Sequence, residues 1–149
     1  MNEAKCTFFC HKISEGKVEG PVLISQDEIL FYLCDPETGQ VIEEGHDLEG
    51  QSVAGKILVF PAGKGSSSVQ VDGLYQLLTR NNAPKGMIIQ RPDTILVTSA
   101  IIMEIPLVDR VEDEFYRKVE NGDYLFLDAD SGKIIIKKQE KTVEKGNCL

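Results

Sequence analysis

The chain has 149 residues, 27% of them charged, with 24 acidic against 16 basic side chains and a formal net charge of -8. That length fits one domain. The acidic balance excludes a general affinity for nucleic acid, because no basic surplus exists to neutralise phosphates.

In chain order, the N-terminal third reads as β structure. Lys5 to Ile13 is expected to form a strand, Pro21 to Ser25 a short apolar one, and Ile29 to Leu33 another. Asp35-Pro36-Glu37-Thr38-Gly39 is a strong turn signal, and the polar stretch Glu43 to Gly50 reads as a loop. Lys56-Ile57-Leu58-Val59-Phe60 is a continuous apolar, β-branched run that suits a buried strand. Beyond Pro61 comes Gly63-Lys64-Gly65-Ser66-Ser67-Ser68. Val71, Leu74, Leu77 and Leu78 then recur at helical spacing, which predicts an amphipathic helix from Ser68 to about Arg80. Gly73 inside it is expected to weaken that helix by about 1 kcal/mol relative to alanine.

Gly86 to Gln90 returns to a strand, completing a strand–loop–helix–strand unit of an α/β layer. Thr94 to Met103 fits a short helix better than a strand, with Ile105 to Val108 as the next strand and a helical turn or two over Asp113 to Glu120. Asp123 to Asp128 and Lys133 to Lys137 read as strands joined by the hairpin loop Ala129-Asp130-Ser131-Gly132. One domain is expected, with its core over about residues 5–138 and a flexible polar tail over 139–149.

The longest apolar stretch, Ile95 to Val108, is broken by Thr98, Ser99, Glu104 and Pro106, short of the roughly 20 residues needed to span a bilayer. Met1 to Lys5 lacks the pattern of a secretion signal, so a cytoplasmic location is expected. In that setting Cys6, Cys10, Cys34 and Cys148 are expected to be thiols. With His11 and His46 as the sole histidines, no metal site on this chain is expected.

The loop Pro61 to Ser68 is the most informative segment. It runs from the C-terminal end of a buried strand to a helix start, where ligands of α/β sheets bind. Free backbone N–H groups and the helix dipole there favour an anion. Gly63 and Gly65 allow close backbone approach, and the hydroxyls can donate to a carboxylate or phosphate. A structural loop stays an equal alternative, since one serine suffices as a helix cap. It is not a Walker A loop, which would need Gly at the position of Leu58 and Ser or Thr at that of Gly65.

The stretch Gly50 to Ser68, with its Pro61-Ala62-Gly63-Lys64-Gly65-Ser66-Ser67-Ser68 ending, closely resembles the small-subunit domain of the aconitase-X family. So do Pro21 to Ser25, the Asp35 to Gly39 turn, Asn82-Ala83-Pro84 and Ile105-Pro106-Leu107-Val108-Asp109; the likeness covers most of residues 7–138. The resemblance implies an α/β fold of the swivelling β/β/α kind, like the mobile domain of aconitase. It implies a hydro-lyase subunit, inactive alone, that pairs with a large subunit. The substrate would be a small hydroxy acid such as mevalonate 5-phosphate or cis-3-hydroxy-L-proline.

The iron–sulfur cluster or iron would be held by the large subunit, with no cofactor on this chain. A serine of the small subunit would be the base, which maps to Ser66, with Ser67 as the second candidate. Gly63, Lys64, Gly65 and Ser68 would contact substrate, although a solvated role for Lys64 fits as well. His46 is either an interface or substrate contact or a plain loop histidine. A non-catalytic interaction module with the same fold is the alternative. A phosphohistidine carrier is disfavoured, because the loop contains no histidine.

Overall fold

A computed structural model describes residues 6–138. Lys5 and the tail expected over 139–149 lie outside the described residues. The chain forms β1 (Thr7–Phe9), β2 (His11–Ser14), β3 (Lys17–Ile24), β4 (Ile57–Phe60), α1 (Ser67–Thr79), β5 (Gly86–Ile89), α2 (Thr94–Ile102), β6 (Leu107–Asp109), α3 (Asp113–Lys118), β7 (Tyr124–Asp128) and β8 (Lys133–Lys137).

The strands build one eight-stranded sheet in the order β1-β8-β7-β3-β4-β5-β6-β2. β3, β4, β5 and β6 run parallel, and the other pairings are antiparallel. The two ends of this order, β1 and β2, are separated in the chain by Cys10 alone. The segment Thr7 to Ser14 therefore pairs with both edges, and the sheet closes on itself. This closure explains why the single strand expected over Lys5 to Ile13 is broken. At Cys10 the chain leaves β8 for β6, and the Cys10 N–H donates to Gly132 O at 2.9 Å.

Residues on opposite faces of a strand alternate, and β4 serves two cores in this way. Ile57 and Val59 join Phe8, Phe115, Leu125 and Ile134 on one side; Leu58 and Phe60 join Leu74, Leu77, Leu96 and Phe31 on the other. The run from Ile57 to Phe60 is continuously apolar because neither face meets water. α1 and α2 cover the second face. Asp93 sets the start of α2, its carboxylate accepting from Leu96 N at 2.8 Å, and this cap settles the helical reading of Thr94 onward.

Three further expectations need correction. Ile29 to Leu33 is not a strand. Ile29 makes a single parallel bridge to Gly63, and Phe31–Leu33 forms a 3-10 turn. The Phe31 N–H goes to the side-chain oxygen of Gln70 at 2.7 Å instead of to a neighbouring strand. The strand at Pro21 to Ser25 starts earlier, at Lys17, because Lys17 to Pro21 pair with β7 before Val22 to Ile24 turn to β4. Cys10 and Cys34 are free thiols as expected, whereas Cys6 is disulfide-bonded.

Candidate active site

The parallel strands β3, β4, β5 and β6 end at the same side of the sheet, and the segments that follow them form the candidate site. After β4 the chain passes through Pro61 to Gly65 into α1. Gly65 has φ +89°, a region that glycine enters freely and other residues do not. That turn delivers Ser66 to the N-cap position with extended backbone. The first helical bond runs from Gln70 N to Ser66 O at 3.1 Å. The N–H groups of Ser67, Ser68 and Val69 thus precede the hydrogen-bond ladder. The Ser66 hydroxyl makes no cap hydrogen bond, so the hydroxyl is not used in closing the helix end. Gly65, Ser66, Ser67 and Ser68 are all exposed.

The first half of the loop is held from several directions. Gly63 N donates to Asp93 Oδ2 at 3.2 Å. A Cβ at Gly63 would lie 2.8 Å from Gln70 Nε2 and 3.1 Å from Asp93 Oδ2. Gly63 is thus required by internal packing, and its amide is already engaged. Lys64 pairs with Glu43 at 2.6 Å, so its ammonium is tied to the loop at 43–46. The structure thereby separates the sequence candidates: Gly65 to Ser68 lie open, while Gly63 and Lys64 are occupied within the fold.

Beside this loop lies an open cleft of about 680 Å³. It is lined by Lys64 and Arg91 and by Asp27, Glu28, Glu43 and Glu44; the serines do not line it. Arg91 pairs with Glu28 at 2.7 Å. A second pocket of about 310 Å³ shares Gln26, Pro61 and Gln90 with the first and reaches Tyr116 of α3. Burial, with the negative charges of Asp109 and Asp113 and with Cys10 nearby, pushes the Tyr116 phenol up to about 12.

Sequence reading missed Glu28, Arg91, Asp93 and Gln70. A usable signal existed for the first three. Each lies in a polar segment directly after an expected parallel strand, and such segments converge at the ligand end of an α/β sheet. Gln70 gave no such signal.

His46 is a structural residue of the cleft wall. It is buried, its Nδ1 accepts from Leu48 N at 2.9 Å, and its Nε2 lies 2.9 Å from Glu28 O. A backbone N–H can only donate, so Nδ1 is the bare nitrogen and Nε2 carries the hydrogen. Both ring nitrogens are thus committed to the fold, which favours the loop-histidine reading. Among the described residues no three His, Cys, Asp or Glu side chains converge into a metal-binding group. No helix among them is long and apolar enough to cross a membrane.

A family model described as the aconitase X swivel domain matches residues 7–136. The phosphomevalonate dehydratase small subunit of Thermococcus kodakarensis is 46% identical over 126 residues, 84% of this chain and 92% of that protein. The protein of the same name from Methanothrix thermoacetophila is 42% identical over 128 residues, 85% of this chain and 92% of its own. The crystal structure of Thermococcus kodakaraensis aconitase X in its holo-form superposes with a TM-score of 0.81 at 43% identity. That match covers 90% of this chain and 100% of the other.

Proposed function

The chain belongs to the aconitase X swivel-domain family, and from that premise we propose that it is the small subunit of a phosphomevalonate dehydratase. It would work in the cytoplasm with a large subunit and dehydrate mevalonate 5-phosphate, with Ser66 as the base. The observation that carries this reading is the open Gly65-Ser66-Ser67-Ser68 start of α1, in a chain that matches small subunits of that name over nearly their full length.

The chemistry is an elimination. The C–H bond beside the substrate carboxylate breaks and its proton passes to Ser66 Oγ. The electron pair becomes the new double bond as the hydroxyl leaves the adjacent carbon. An iron centre on the large subunit would supply Lewis acidity for that departure. A serine hydroxyl is a weak base unless its alkoxide is stabilised. The positive end of the α1 dipole favours that alkoxide, and the free N–H groups of Ser67, Ser68 and Val69 would reach it once the Ser66 side chain turns back over the helix start. Ser66 is preferred over Ser67 because it precedes the helix, with extended backbone and a hydroxyl free of capping duty.

Co-expression with the large chain tests the proposal. The isolated chain should show no turnover, the heteromer should dehydrate mevalonate 5-phosphate, and Ser66→Ala should abolish turnover while the complex still assembles. Full activity in both Ser66→Ala and Ser67→Ala heteromers overturns the serine assignment. Turnover of cis-3-hydroxy-L-proline in place of mevalonate 5-phosphate overturns the substrate. Assembly with no turnover of either leaves the interaction module as the better reading.

A further inference from the structure

We propose that Gln70 and Asp93 are positioning residues that clamp the Gly63–Lys64 segment from two sides and so fix where Ser66 emerges. The proposal rests on the reading of this loop as the source of the base.

Gln70 lies on the inward stripe of α1 together with Gly73, Leu74 and Leu77, and it is 1% exposed. A polar side chain in an apolar stripe is destabilising unless every polar atom finds a partner. Here the amide is fully engaged. Its Oε1 accepts from Phe31 N at 2.7 Å, and its Nε2 lies 3.1 Å from Ile29 O and 3.4 Å from Lys64 O. The short contact fixes the amide's orientation, because the atom facing a backbone N–H must be the oxygen. The Gln70 backbone N–H also donates to Ser66 O. One residue therefore grips the serine through its main chain and the preceding loop through its side chain.

Asp93 closes the other side. One carboxylate oxygen caps α2 at Leu96 N, 2.8 Å away, and the other receives Gly63 N at 3.2 Å. The two clamps converge on a single point, since one Cβ built on Gly63 would crowd both Gln70 Nε2 and Asp93 Oδ2. The Gly63 N–H and the Lys64 carbonyl are thus held by side chains from the starts of α2 and α1. Beyond it, only Gly65 separates Lys64 from Ser66, so rotation of the clamped segment would carry the serine with it.

Neither side chain touches substrate in this scheme; each acts through the loop. Gln70→Met keeps length and deletes the side-chain bonds. Asp93→Ser keeps a cap for α2 but is too short to reach Gly63. In the heteromer each should lower kcat by about 10- to 100-fold, the scale of a reacting group displaced by an ångström, with KM changed by less than about threefold. In the full-length chain alone, hydrogen exchange over residues 63–69 should accelerate in both variants while β3, β4 and β5 keep wild-type protection.

Ser66→Ala and Ser67→Ala heteromers run alongside. If both retain full turnover, the serine reading fails, and the exchange data alone then judge the clamp. If Ser66→Ala is inactive while Gln70→Met and Asp93→Ser keep wild-type kcat, the clamp is refuted. Wild-type exchange over 63–69 in both variants refutes it equally. Should Gln70→Met not fold, Asp93→Ser decides.

Discussion

Gly73→Ala is expected to destabilise the fold, although glycine is a poor helix former. In an unobstructed helix the change would stabilise by about 1 kcal/mol. In this one a Cβ on Gly73 would lie 2.1 Å from Tyr32 N, 2.4 Å from Tyr32 Cα and 2.5 Å from Phe31 C. All three are backbone atoms, so no rotamer change relieves them, and the 3-10 turn must lift by roughly 1 Å to reach ordinary contact. Lifting pulls on Phe31, which is fully buried, packs edge-to-face on Phe60 with ring centroids 6.1 Å apart, and donates to Gln70 Oε1. Overpacking costs about 1–3 kcal/mol, and a weakened buried hydrogen bond adds about 1–3 kcal/mol. Setting the helix gain against these leaves a net loss of about 1–5 kcal/mol. For a domain of this size that lowers Tm by roughly 2–20 °C. Urea unfolding followed by far-ultraviolet circular dichroism measures it directly. Stability equal to or above that of the natural sequence would refute the close approach of α1 to the turn.

Gly65→Ala forces a φ of +89° on a residue with a Cβ, which would meet Leu30 Cδ1 at 2.8 Å. It should lower stability by about 1–2 kcal/mol and turnover by at least about tenfold as the path into Ser66 changes. Unaltered melting and unaltered kcat together would contradict this. Cys34 carries a pH prediction. Burial, then the charge of Glu43, pushes its thiol from 9.0 up to about 12. The folded state keeps the proton while the unfolded chain releases it, so this group's contribution is intact below pH 9 and is lost as pH rises toward 12. At pH 10 the loss is about 1 kcal/mol. Comparing urea midpoints at pH 8 and 10 should show a smaller drop for Cys34→Ala, and an equal drop would rule out Cys34 as the source.

The sequence made β4 and the loop after it legible because both signals are local. A continuous apolar run between Lys56 and Pro61 admits few readings, and glycines followed by serines announce a helix start. The helix lies within a residue of its expected start and end, but its inward face differs. Val71 and Leu78 belong to the apolar pattern in the sequence, whereas the buried residues are Gln70, Gly73, Leu74 and Leu77. Counting apolar residues cannot find Gln70, whose partners Ile29 and Phe31 lie about forty residues away. Nor can it find Gly73, whose absent side chain is what admits Tyr32. The same pairing explains the misassigned strand at Ile29 to Leu33. Its pattern suits β structure, but its backbone is satisfied by a helix side chain, a solution invisible in either segment alone.

Charge placement in the cleft bears on why such a chain would need its partner. Asp27, Glu28, Glu43 and Glu44 face Lys64 and Arg91 there, and both cations are already paired, Lys64 with Glu43 and Arg91 with Glu28. An anionic phosphate or carboxylate entering this side meets surplus negative charge. What the loop Gly63 to Val69 offers an anion is the backbone N–H groups at the start of α1. Ser66 lies outside that cleft, and the nearest loop cation, Lys64, is already paired with Glu43. On the proposed reading, the cations that hold the substrate and favour the ionised serine must therefore come from the large chain. The base would then be strong only when the two chains close on substrate, and a free small subunit would carry an unreactive serine.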